Sequence, residues 1–235
     1  MKNVKSLLLA AAVVMISAAR AQTVDDIINK HTEALGGKDK ISQLKSVYIE
    51  TSVDAMGNTS TAIENLLQGK GFRQEMDFGG QKIVNAYSDK GAWTINPFMG
   101  STDPQALPDE AYKSQKDIIF FGGSLVDYAA RGNKVELLGK EGNDYKVKVT
   151  NGGSETTYYI DGNTYLINKS VAKGEMMGQP VEITMTYSDY KKTDYGIMVP
   201  YTRSTDFGQF QLAYKVNKVE VNKDIDPKIF DMPGK

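Results

Sequence analysis

The chain has no cysteine, one histidine and one tryptophan in 235 residues. Without cysteine there is no disulfide framework, no thiolate nucleophile and no thiol through which the chain could carry a lipid anchor. With His31 alone, a soft-metal site has almost no ligands and a Ser-His-Asp triad has a single candidate base. His31 also falls on the apolar side of a helical stretch, where a packing role is the ordinary one. No metal or other cofactor is expected. Basic residues are not in excess, and setting aside Lys2, Lys5 and Arg20 leaves 25 against 29 acids, a net charge of −4. That balance, with no basic patch, argues against nucleic acid as the partner. The glycines fall in hairpin turns and not between a strand and a long helix, so a phosphate loop is not indicated. There is no fixed-period repeat, heptad pattern or linker, which points to one domain and to a monomer.

The first stretch, "MKNVKSLLLAAAVVMISAARAQ", has Lys2 and Lys5, an apolar run from Leu7 to Ile16, and Ala19-Arg20-Ala21. This reads as a signal peptide cleaved after residue 21, placing a soluble mature chain, residues 22–235, in the periplasm. The run is too short to span a bilayer.

Thr23 caps a predicted amphipathic helix with Val24, Ile27, Ile28, His31 and Leu35 on one stripe, ended by Gly36-Gly37. From Ser46 the period becomes two, and short turns at "MGNT", Gly79-Gly80, "EGND", "NGGS" and "DGN" separate successive strands of a meander. The middle, "DPQALPDEAYKSQKDIIFFGGSLVDYAARGN", loses the alternation and suggests two helices, roughly 108–121 and 123–131, around Gly122-Gly123. The fold class is therefore mainly β (α+β): a large curled antiparallel sheet of ten or eleven strands, an N-terminal helix and a helical insertion. So large a sheet must curl, and the helices must cover its apolar face, leaving room between sheet and cap.

Three stretches carry a family resemblance. "YSDKGAWTINPF" is similar, through Ser88, Asp89, Trp93 and Pro97, to a signature strand of the periplasmic outer-membrane lipoprotein carriers and lipoprotein-sorting proteins, the LolA-like proteins. "DIDPKIFDMPGK" resembles their terminal signature through Asp226, Phe230, Pro233 and Gly234, and "EALGGKDKISQLKSV" resembles the opening of many members. The resemblance implies an incomplete β-barrel with a helical lid over an apolar cavity. It implies a carrier that is not an enzyme, with an acylated lipoprotein or a lipid as cargo and membrane-anchored donor and acceptor proteins as partners. Where the family has an Arg-Pro latch this chain has Lys70-Gly71, with Arg73 close by. Lysine lacks the planar fork of arginine, so the latch does not carry over unchanged.

On this reading the acyl-binding candidates are Phe72, Met76, Trp93 and Ile95 on strands, Phe98 and Met99 after the Asn-Pro, and Phe120, Phe121 and Leu125 in the insertion. Met176 and Met177 at a greasy hairpin tip, with Ile183, Met185 and Tyr187, complete the set. Trp93 is expected to line the cavity, with Asn96-Pro97 leading the chain into the lid. Lys70, Arg73, Gly122 and Gly123 are candidates for latch and hinge. Two alternatives stand beside the carrier: a protein-recognition or sensor module on the same fold, and a hydrolase with a carboxylate pair. Against the hydrolase, Glu50, Glu75, Asp77, Glu155 and Glu182 are the polar partners in alternating strands, the usual solvated face.

Overall fold

A computed structural model describes residues 22–55, 57–176 and 179–234; the signal-peptide reading of residues 1–21 lies outside them. Helix α1 (Val24–Ala34) starts at a capping box, in which the Thr23 side chain accepts from Asp26 N at 3.1 Å and Asp26 accepts from Thr23 N at 3.0 Å. Its buried stripe is Ile27, Ile28, His31 and Thr32. A shorter helix, α2 (Lys38–Gln43), follows the Gly36-Gly37 break. No helix among the described residues is long and apolar enough to cross a membrane.

Six strands follow as a meander: β1 (Ser46–Ala55), β2 (Asn58–Leu67), β3 (Gly71–Phe78), β4 (Gln81–Ser88), β5 (Gly91–Asn96) and β6 (Ser101–Ala106). The insertion then holds α3 (Asp109–Gln115), a 3₁₀ turn at Lys116–Ile119 and a run of turns through residue 132. A second meander completes the chain: β7 (Lys134–Glu141), β8 (Asp144–Asn151), β9 (Ser154–Asp161), β10 (Ile167–Met176), β11 (Gln179–Lys192), β12 (Met198–Asp206) and β13 (Gln211–Val221). All thirteen strands form one antiparallel sheet in the order β6-β5-β4-β3-β2-β1-β13-β12-β11-β10-β9-β8-β7. The two meanders join where β1 pairs with β13, and the edges, β6 and β7, come from mid-chain.

Two sequence expectations need correction. Among the described residues there are thirteen strands, not ten or eleven. One addition is β6, "STDPQA", a polar strand with Pro104, which the ladder tolerates because it lies at an edge. The second expected helix, 123–131, is a series of turns: Gly122, Gly123 and Asp127 all have positive φ, at 83°, 57° and 52°, which no right-handed helix accommodates.

The curl follows from the insertion. Helix α3 has 7 residues, about 10 Å of helix. It nevertheless touches both β5 and β8, which on a flat sheet would stand ten strands, or about 48 Å, apart. The sheet therefore bends until its ends approach each other, and the insertion bridges the gap. The face that meets the insertion is the inner face.

Candidate functional site

Cross-strand partners share a face, so the register sorts the inner wall. At one end it is plugged. Leu44, Val47, Leu66, Ile197 and Val199 are buried together, with Phe72, Phe121, Tyr201 and Val219 packed against them. The insertion is seated on this plug and on the sheet, and is not held off it. Ile119 packs on Tyr87 and Ala92, while Leu125, fully buried, packs between α1 (Ile27, Ile28) and β8–β9 (Val147, Val149, Ile160). Backbone and side chain both tie it down: Gly69 N donates to Ile119 O at 2.8 Å, and Phe121 N donates to Gln68 Oε1 at 2.8 Å. The buried Asp117 carboxylate accepts from Asn133 Nδ2 at 2.6 Å and Asn151 Nδ2 at 3.0 Å, pinning the insertion to β8. Tyr158 meets Ser124 at 2.9 Å, and burial pushes its phenol up to about 12.

Toward the opposite end, marked by residues 57, 79–80, 97–100 and 207–210, the inner wall is apolar and only half covered. Met76 faces Ile83 and Ala62 there, Ile183 faces Ala172, and Met185 lies across from Thr205. The rim carries aromatic pairs: Phe78 and Phe98 meet edge-on with centroids 5.8 Å apart, and Phe207 stacks on Phe210 at 4.9 Å. Phe98 is 53% exposed.

Between plug and rim lies a polar zone. Arg203 on β12 reaches across β13 and β1 to Glu64 on β2, Nη2 to Oε1 at 2.8 Å, and Gln74 Nε2 donates to the same oxygen at 3.0 Å. Glu64 is 5% exposed, and Thr51 and Val53 on the floor between are wholly buried. Burial alone would lower the Arg203 pKa, but the facing Glu64 outweighs it and raises the value. Tyr187 lies next to this pair, its hydroxyl 3.3 Å from Ser170 Oγ, and burial raises its pKa.

The candidates divide accordingly. Phe72, Met76, Ile183, Met185 and Tyr187 are on the inner face; Phe120, Phe121 and Leu125 are in the packed insertion; Phe98 is on the rim. Met177 lies outside the described residues, as do the side chains of Met99 and Met176.

Trp93 is a correction. It is buried on the outer face with Val84, Ala86 and Met232, and Ile95 packs beside it. Its Nε1 donates to Phe230 O at 2.9 Å, so the two signature stretches lock together beneath the C-terminal tail. Nor does Asn96-Pro97 lead into the lid. Asn96 Oδ1 accepts from Phe98 N at 3.2 Å and Gly100, at φ 78°, turns the chain back into β6. Arg73 also faces outward: its guanidinium donates to Ile229 O at 2.6 Å, pairs with Glu75 at 2.7 Å and lies 5.3 Å from the Trp93 ring. Lys70 is exposed, 4.0 Å from Asp89. Gly71 leaves room for the Phe230 ring, where a Cβ would stand 2.3 Å from Cγ.

Sequence reasoning passed over Glu64, Arg203, Asp117, Asn133 and Asn151. For the first pair a signal exists. Glu64 is in phase with Ala62 and Leu66, and Arg203 with Val199 and Tyr201, so each is a charge in an inward-facing series. Asp117 and its asparagines lie in turns or at strand ends, where no period marks them.

No protein-family model and no curated protein sequence matches the chain. Solved structures do. A DUF1329 family protein from Desulfovibrio piger superposes with a TM-score of 0.57 at 14% identity, covering 90% of this chain and 98% of that one. A domain assigned as an outer membrane lipoprotein-sorting protein from Vibrio parahaemolyticus gives 0.56 at 12%, covering 87% and 95%. A LolA superfamily protein from Nitrosomonas europaea gives 0.53 at 12%, covering 86% and 97%. A half-open antiparallel sheet with its edges bridged by a helical insertion, shared over nearly the full length of these structures, is the LolA-like fold.

Proposed function

We propose that the protein is a periplasmic carrier that holds the acyl chains of a lipoprotein, or of a lipid, against the inner wall of its open sheet for transfer towards the outer membrane. One observation carries this reading: an inner wall of half-buried Met76, Ile83, Ile183 and Met185, continuous with an aromatic rim and left uncovered by the insertion. A sheet built only for stability would bury that wall. Flexible, polarizable methionines suit cargo of varied shape. Acyl burial supplies about 0.8 kcal/mol per CH₂, so a long chain yields on the order of 10 kcal/mol without any reacting group. On this reading the protein binds and does not catalyse, residues 1–21 are removed on export, and membrane-anchored proteins load and unload a monomeric carrier. The carriage site lies on the open wall and not under the insertion.

The test is to purify the protein from a periplasm, extract it with solvent and identify the extract by mass spectrometry. Stoichiometric acyl lipid or lipopeptide is expected, falling at least tenfold in an Ile183→Asp, Met185→Asp variant that remains folded. An empty protein that also fails to take up a fluorescent fatty acid would overturn the reading.

A further inference from the structure

The Glu64–Arg203 pair is an odd component for a greasy interior. Drawing two charges out of water costs several kcal/mol each, and a packed apolar pair of similar volume often serves stability as well or better. The pair is also under-used. A guanidinium has five N–H donors, and among the described residues Arg203 spends one, on Glu64 Oε1. Its Nε is buried without a hydrogen-bond partner. On the other side, both bonds to Glu64 converge on Oε1, and none to Oε2 is formed among the described residues. Thr51 Oγ1, beneath the pair, is buried and unpartnered as well. The interior thus offers spare donors beside a spare carboxylate acceptor, about 10 Å in from the end of β12 and directly behind the half-covered apolar wall.

We infer that the Arg203–Glu64 crossbar is a recognition site for an acyl group whose carbonyl carries an adjacent N–H, an acyl amide, with its hydrocarbon chain lying along Met185 and Ile183 towards the rim. The carbonyl oxygen accepts from Arg203 and the N–H donates to Glu64 Oε2, so the ion pair stays intact. An ester has the acceptor but nothing to donate. A carboxylate brings a second negative charge next to Glu64, which a low-dielectric interior disfavours. This specificity rests on the carrier reading and deepens it by naming the head group. Two sources share the chemistry, a free fatty amide and the N-acylated terminus of a lipoprotein.

The experiment is isothermal titration calorimetry of the delipidated protein with decanamide, methyl decanoate and an N-decanoyl tripeptide. It is repeated with the double variant Glu64→Leu, Arg203→Met, which removes both charges together and leaves neither stranded. The expected result is decanamide binding at least tenfold tighter than the ester to the natural protein, with the two equal in the variant. Crossbar-dependent binding of the tripeptide as well would assign the N-acyl group of a lipoprotein; binding of decanamide alone would assign a free amphiphile. Equal, measurable binding of amide and ester to the natural protein would overturn the inference and leave the carrier reading standing, as would a preference that persists in the variant. No binding of any of the three would overturn both.

Discussion

Protonating His31 would put a charge where nothing can receive it. The ring is fully buried, and its Nδ1 lies 2.8 Å from Tyr165 O, so that nitrogen carries the proton and donates to the carbonyl. Nε2 is left buried without a partner. Burial dominates and takes the pKa from 6.5 down to about 4, the Tyr165 bond offsetting only part of it. Because the folded value is below the unfolded one, the native state binds fewer protons. The stabilisation is complete above pH 6.5, declines as pH falls, and is gone below about pH 4, an effect of about 3 kcal/mol. Thermal melts at pH 7 and pH 4 check this: His31→Leu should lose much of the acid sensitivity, and an undiminished drop would place that sensitivity in other groups. Gly71→Ala tests a second residue-scale claim. A methyl driven into the Phe230 ring should cost about 1–3 kcal/mol in a denaturant titration, whereas Gly80→Ala meets no atom within 4 Å and should pay only for its positive φ. At this scale the stripe of α1 and its Thr23 cap were readable because helical period and cap chemistry are local. The outward turn of Trp93 was not, since both faces of β5 are covered, by the insertion on Ala92 and by the tail on Trp93.

The insertion behaves as an element because its attachments are few and different in kind. Asp117 is the buried charged one, beside the Gly69, Gln68 and Tyr158 hydrogen bonds, and Asp117→Ala strands the Asn133 and Asn151 amides, at about 2–3 kcal/mol. Hydrogen exchange should then quicken across residues 109–126 while the β1–β2 amides stay protected; equal loosening of both would show that the insertion is no separate unit. The two glycines, proposed as a hinge, also separate. A Cβ on Gly122 would sit 2.3 Å from Val126 Cγ2, so Gly122→Ala should unseat the insertion by overpacking. Gly123 has open space around it and φ 57°, so Gly123→Ala should cost about 1 kcal/mol of backbone strain in a denaturant titration without loosening the core. The insertion's existence was legible from the loss of alternation, but its form was not. The apolar spacing of Leu125, Val126 and Ala129 imitates a helix, while Asp127 at positive φ breaks it.

On the scale of the whole molecule, two meanders are held together by the β1–β13 ladder and by the insertion that spans their outer edges. A protease site placed at the exposed Ala129-Ala130 should, once cut, leave both fragments associated through that ladder, running from Val47↔Val221 to Ala55↔Leu212. Native mass spectrometry should report one particle of undiminished mass; separated fragments would mean that the insertion, and not the ladder, is the clamp. Repeated turns and period-two strands made the meander legible, whereas the order of strands was not, because nothing local tells β1 that its neighbour is the last strand. That placement has a consequence for biogenesis. A chain emerging from its N-terminus presents β1 as a bare sheet edge throughout the arrival of the next eleven strands. Closure of so long a loop is entropically dear and kinetically late. Until β13 arrives, the six-stranded first meander leaves β1 open to pairing with other chains in addition to its permanent edge, β6, so the slow and vulnerable moment in this protein's life belongs to its last strand.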